Sequence, residues 1–148
     1  MIQREGLDDD LLVAAGDSVF SEGRLTEFAT LGVTKEAPVV GVYDVGNPEA
    51  VRPYSAITTG DEDRVVAFEE KPEAPETTLA GIALYFYPRS ALPLIRRYLE
   101  EGNNPDQPGR LVQWLYPQLS VYAWRVPGRW YDIGSPETLE QADRELST

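Results

Sequence analysis

The sequence predicts an α/β layered domain built on a mixed sheet. Short apolar runs rich in Val, Ile, Tyr and Phe alternate with segments whose apolar residues recur at helical spacing. Turn-forming residues separate the segments, and no repeat, low-complexity stretch or linker interrupts them. The 148 residues are 42% hydrophobic, enough for a packed core, so we expect a single domain over residues 1–148.

The elements follow in order. Leu11 to Ala15 reads as a short buried strand that ends in Gly16-Asp17. Ser21 is placed to cap a helix running to about Gly32, with Leu25, Phe28 and Ala29 on one face. Pro38 to Tyr43 is a second strand, and Asn47-Pro48 marks a turn. Tyr54 to Thr58 and Val65 to Phe68 form a hairpin around Thr59 to Asp63. Leu79 to Tyr87 is an apolar and aromatic strand. Ser90 to Glu101 is a helix with Leu92, Ile95, Tyr98 and Leu99 on one face, stopped by Gly102. After a loop over residues 102–109, Leu111, Val112, Trp114 and Leu115 suit a short amphipathic helix ended by Pro117. Val121 to Val126 is a strand. Ser135 caps a last helix with Pro136 at its first position and Leu139, Ala142 and Leu146 as its apolar stripe.

Composition excludes several chemistries. The chain has no cysteine and no histidine, which removes disulfides, thiolate sites, the commonest general base and the commonest metal ligand. Any metal must be hard and oxygen-bound, which favours Mg²⁺ or a similar divalent cation. A formal net charge of −12 argues against a nucleic-acid partner. Lysine is limited to Lys35 and Lys71, against eleven arginines. This surface fits either a high-salt cytoplasm or an ordinary acidic soluble protein. No apolar run approaches the ~20 residues of a membrane span, and no basic-then-apolar leader opens the sequence. We therefore expect a cytoplasmic protein with no membrane partner.

Two aspartates each end an apolar run beside a glycine: Asp17 in Ala15-Gly16-Asp17 and Asp132 in Trp130-Tyr131-Asp132-Ile133-Gly134. In open α/β sheets ligands sit at the carboxyl ends of strands, where Asp17 lies. Brought together, two carboxylates can hold a divalent metal over a phosphate; taken singly, each also reads as a turn or helix-capping residue. Val65 to Phe68 delivers Glu69-Glu70-Lys71-Pro72. A carboxylate beside an ammonium suits a sugar phosphate, the first accepting hydroxyls and the second pairing with phosphate. The alternative is an exposed ion pair at a strand end.

In this order, with Leu79-Ala80-Gly81-Ile82-Ala83-Leu84-Tyr85-Phe86-Tyr87, Asn104-Pro105-Asp106-Gln107-Pro108-Gly109 and Trp130 to Glu137, the motifs resemble the sugar-1-phosphate nucleotidylyltransferase family. The likeness is greatest to its glucose-1-phosphate thymidylyltransferase-like branch and runs from about Asp8 to Leu146. The resemblance implies a three-layer α/β/α mixed sheet of the nucleotide-diphospho-sugar transferase-like (Rossmann-like) type. It implies transfer of a nucleotidyl group from a nucleoside triphosphate, dTTP favoured, to a sugar 1-phosphate, glucose 1-phosphate favoured, with release of pyrophosphate. Asp17 and Asp132 then match the metal-binding aspartates, Glu70 the glutamate that holds sugar hydroxyls, and Lys71 the lysine on the sugar phosphate. Gly81 matches the glycine of the strand lining the sugar pocket. Asp17, Asp132 and Lys71 are the catalytic set.

Two departures from the family pattern stand out. Many relatives have Tyr-Gly where this chain has Tyr54-Ser55. The family's glycine-rich loop of the type Gly-Gly-x-Gly-Thr-Arg-Leu, which cradles the triphosphate, occurs nowhere in these 148 residues. The fold is thus expected to be N-terminally truncated, the C-terminal part of a nucleotidyltransferase domain, and the chain alone to transfer little. An exposed sheet edge is expected to be covered by a homodimer or by pairing with a missing N-terminal segment. The competing expectation is a non-catalytic sugar-phosphate-binding or protein-interaction module of the same fold.

Overall fold

A computed structural model describes residues 6–147; Thr148 and the first five residues, on which the leader expectation partly falls, lie outside it. Among the described residues, six strands form one mixed sheet and two more form a separate ribbon. Strand β1 spans Leu11–Ala14, β2 Ser18–Phe20, and helix α1 Leu25–Lys35. Strands β3 (Val39–Asp44), β4 (Ser55–Thr59), β5 (Val65–Glu70) and β6 (Leu79–Tyr87) follow. Then come α2 (Leu92–Glu100), α3 (Pro108–Leu115), β7 (Tyr122–Arg125), β8 (Trp130–Asp132) and α4 (Pro136–Leu146).

The sheet order is β5-β4-β6-β3-β7, with β1 also paired to β6. Only β3 and β7 run parallel. Nine residues long, β6 carries two partners in succession on one side. Its first residues pair with β4 (Ser55↔Gly81) and its last four with β1 (Leu11↔Tyr87 to Ala14↔Leu84). Alternation along β6 sends Ile82, Leu84 and Phe86 to one face and Tyr85 and Tyr87 to the other. On the first face they join Phe28 of α1; on the second, Leu92 and Ile95 of α2 and Val112 and Leu115 of α3. Helices thus cover both faces, giving the three layers expected.

The hairpin, the Pro38 strand, the Gly102 stop (φ 78°) and the Ser135 cap form as expected, the last as a capping box with Thr138. Four expectations are corrected. Strand β1 is not buried: Leu12 and Val13 are 46% and 42% exposed, and among the described residues β1 pairs on one side only, with β6. Ser21 does not cap α1, whose N-cap is Arg24 without a side-chain hydrogen bond. The Ser21 hydroxyl instead accepts from Arg129 N–H at 2.7 Å, prolonging the β2–β8 ribbon. Helix α1 runs past Gly32 to Lys35. Of the apolar stripe on α4 only Ala142 is buried; Leu139 and Leu146 face outward. Strands β2 and β8 were not expected at all, since three-residue strands show no periodicity of their own.

Two leucines on neighbouring strands separate these cases. Leu84→Ala empties a fully buried site and is expected to cost about 2–5 kcal/mol. Leu12→Ala, at the exposed edge, is expected to stay within about 0.5 kcal/mol. Urea melts of the two variants measure both.

Candidate functional site

The two aspartates meet through the β2–β8 ribbon. β1 ends where Ala15 N–H donates to Ala83 O at 2.9 Å, and the chain turns at Gly16. Asp17 follows, and Ser18 then pairs with Asp132, Val19 with Tyr131 and Phe20 with Trp130. Ile133 N–H closes the ribbon on Asp17 O at 2.9 Å. A backbone ladder therefore sets Asp17 against the strand that carries Asp132, although neither stretch has a strong strand signal.

Tyr54 organises the carboxylate side of this pair. Its hydroxyl donates to Asp132 Oδ2 at 2.9 Å. Burial pushes the Tyr54 hydroxyl well above its ordinary pKa, and the hydrogen bond to Asp132 and the charges of Asp132 and Asp17 push the same way. The phenol is thus a permanent donor at neutral pH, and it senses both aspartates. Its ring meets Trp130 edge-on at 5.2 Å, and Tyr43 packs on Trp130 at 5.8 Å. Trp130 Nε1–H donates to Ser18 Oγ at 3.2 Å, which holds the indole across the ribbon. Tyr43, Pro53, Tyr54, Trp130, Asp132 and Thr138 line a cleft of about 500 Å³.

Glu70 ends β5 and Lys71 follows it. The register pairs Glu70 with Ser55, and Lys71 N–H donates to Tyr54 O at 2.8 Å. Lys71 adopts a left-handed conformation (φ 48°), a costly one for a side chain with a Cβ, held here by that hydrogen bond and the following buried Pro72. Glu70 N–H donates to Gln113 Oε1 of α3 at 2.9 Å. Ser55 Oγ donates to Glu70 Oε2. Gly81 sits across from Ser55 on β6 and is buried; a Cβ there would lie 2.6 Å from Ile57 Cδ1 and 3.2 Å from Ser55 Cβ. Close strand packing accounts for this glycine.

Tyr54-Ser55 therefore joins the two halves. Tyr54 reaches Asp132 with its side chain and Lys71 with its carbonyl, while Ser55 reaches Glu70. Sequence reasoning noted this dipeptide only as a departure from a Tyr-Gly pattern. Its signal was an aromatic hydroxyl and a small hydroxyl at a strand start, which is too common to single out.

A metal here would rest on few protein ligands. Among the described residues no group of three or more acidic, histidine or cysteine side chains could hold one. Two carboxylates and an all-oxygen donor set fit Mg²⁺, which commonly takes one or two carboxylates and completes its octahedron with water and substrate phosphate.

The nucleotidyl transferase family model matches residues 2–148. Glucose-1-phosphate adenylyltransferase of Clostridium acetobutylicum is 29% identical over 143 residues, covering 92% of this chain and 36% of that protein. UDP-glucose pyrophosphorylase complexed with UDP-glucose superposes with a TM-score of 0.81 at 22% identity, over 99% of this chain and 59% of that one. A Bacillus anthracis protein provisionally assigned as a glucose-1-phosphate thymidylyltransferase superposes with a TM-score of 0.78 at 20% identity, over 98% of this chain and 57% of that one. The chain thus spans little more than a third of the curated relative and under two thirds of the solved ones.

The tyrosines give a pH test. Burial, the largest cause in each case, raises Tyr54, Tyr85 and Tyr87. A raised native pKa means stability is intact below the unfolded value of about 10 and is lost as pH rises through the native value. At about pH 11 the phenolate absorbance of the folded chain should fall short of all eight tyrosines, and denaturant should restore the deficit. Tyr54→Phe should shrink that deficit and lower stability at neutral pH by about 1 kcal/mol.

Proposed function

This chain belongs to the nucleotidyl transferase family, and from that premise we propose that it carries the metal and acceptor side of a sugar-1-phosphate nucleotidylyltransferase. The reaction joins a nucleoside triphosphate to a sugar 1-phosphate and releases pyrophosphate. The observation that supports this most is the Tyr54-Ser55 junction, which ties the Asp17–Asp132 ribbon to Glu70 and Lys71. In this reading Asp17 and Asp132 hold Mg²⁺ against the phosphates, where the ion supplies charge neutralisation. Lys71 pairs with the sugar phosphate and Glu70 accepts sugar hydroxyls. Gly81 leaves room for Ile57 and Ser55 on the strand that lines the sugar pocket. The protein contributes positioning and charge, with the sugar phosphate oxygen attacking the α-phosphorus in line and no covalent intermediate.

Glucose 1-phosphate is the favoured acceptor. The names of the three similar proteins given above share glucose and differ in the base, adenylyl, thymidylyl or uridyl. Our choice of dTTP rests on the likeness of the motifs. Because these 148 residues contain no glycine-rich loop, we assign the chain alone little transferase activity; removing even one transition-state donor costs ~100-fold or more. The same feature favours a second reading, a sugar-phosphate-binding module without catalysis.

The open edge of β1, with Leu12 and Val13 outward, fits pairing with a second copy or with a glycine-rich segment. Among the described residues no helix is long and apolar enough to cross a membrane. We place the protein in the cytoplasm, without a membrane or nucleic-acid partner.

Calorimetry with Mg²⁺ and glucose 1-phosphate tests the site. Lys71→Ala should weaken sugar phosphate binding at least tenfold, about 1.4 kcal/mol, with the melting curve unchanged. Asp132→Asn should abolish the Mg²⁺-dependent part of nucleotide binding. Rapid pyrophosphate release from the chain mixed with dTTP would refute its assigned incompleteness. A monomer by light scattering, binding no hydrophobic dye, would refute the pairing at β1.

A further inference from the structure

We propose that the Ser55 hydroxyl sets the specificity of the sugar site. It occupies a lone-pair position on Glu70 Oε2 that a sugar hydroxyl would otherwise fill, so the site takes sugar 1-phosphates whose hydroxyls reach Glu70 through its other oxygen. The inference rests on the reading above, in which Glu70 accepts sugar hydroxyls.

Three observations carry it. First, Ser55 is 3% exposed and is the one polar or charged residue among the buried residues described. Cut off from water, its hydroxyl needs a protein acceptor, and Glu70 Oε2 is that acceptor. Second, the pair cannot drift apart. Ser55 and Glu70 face each other in the β4–β5 register, and Glu70 N–H is tied to Gln113 Oε1 at 2.9 Å. Third, α3 closes over the carboxylate. A Cβ at Gly109 would collide with Glu70 Oε2 and lie 2.9 Å from Ser55 Oγ, so the helix backbone sits directly against the pair.

The consequence follows from acceptor capacity. An ionised carboxylate offers about four lone-pair positions on two oxygens. Ser55 takes one on Oε2, and the close helix restricts what else can approach that oxygen. Among the described residues none hydrogen-bonds Oε1, which is left to accept the sugar hydroxyls. Removing the serine hydroxyl frees the blocked position without changing the backbone. Ser55→Ala keeps the Cβ that packs opposite Gly81; Ser55→Gly removes it as well.

Calorimetric titration of the 148-residue chain with glucose 1-phosphate and its 2-, 3-, 4- and 6-deoxy analogues reads the effect. For the wild-type chain, deleting the excluded hydroxyl should change Kd by less than about twofold. In Ser55→Ala the same deletion should weaken binding about tenfold, the usual scale for one charge-assisted hydrogen bond. Ser55→Gly should show the same new discrimination. If both variants keep the wild-type profile across the series, the proposal is overturned while the sugar phosphate reading stands. If only Ser55→Gly changes, crowding by the Cβ controls the site and the proposal again fails. If no form of the chain binds any sugar 1-phosphate, the functional reading itself falls, and this inference with it.

Discussion

Burial of β6 between two helical layers is the constraint on which everything else hangs. Every residue of this strand except Ala83 is buried, and it is hydrogen-bonded to β1, β3 and β4. A strand apolar on both faces must be covered on both, which is why α1 lies on one side and α2 and α3 on the other. Its length also allows β4 and β1 to share one of its edges. That arrangement puts the end of β1, which Asp17 follows three residues on, on the same sheet as the Ser55–Glu70 pair.

The site is assembled from backbone ladders more than from side-chain contacts. Pairing of β2 with β8 brings Asp17 to Asp132, and pairing of β4 with β5 brings Ser55 to Glu70. The connection between these ladders is narrow, consisting of Tyr54 with its hydroxyl on Asp132 and its carbonyl on Lys71 N–H. A half-buried phenol that stays protonated suits this role, since it orients a carboxylate without adding charge to a site already rich in it. The strained backbone of Lys71 fits the same pattern, being held by its hydrogen bond to Tyr54 O.

Much of the fold could be read directly. The β6 run, the Gly102 stop and the Ser135-Pro136 helix start each carry a strong local signal, because a residue's own conformational preference decides them. Readings failed where the deciding partner lay far away in sequence. Leu12 and Val13 look like core residues, yet nothing among the described residues buries them. Ser21 looks like a cap, yet its hydroxyl is claimed by Arg129, which only the ribbon brings near. Leu139 and Leu146 have helical spacing, but nothing among the described residues buries them.

The same division holds for the site. The sequence by itself determined which chemistry is available: oxygen ligands only, two aspartates at the ends of apolar runs, and a Glu-Lys pair stopped by proline. Those are properties of residue type and short spacing, which need no fold to be true. Only the tertiary structure decided that Asp17 and Asp132 share a ribbon, that Tyr54 is the donor between the halves, and that Ser55 already occupies Glu70. Each of these depends on strand register. Register is set by the packing of whole faces against distant layers, so the residues that carry it do not reveal it themselves.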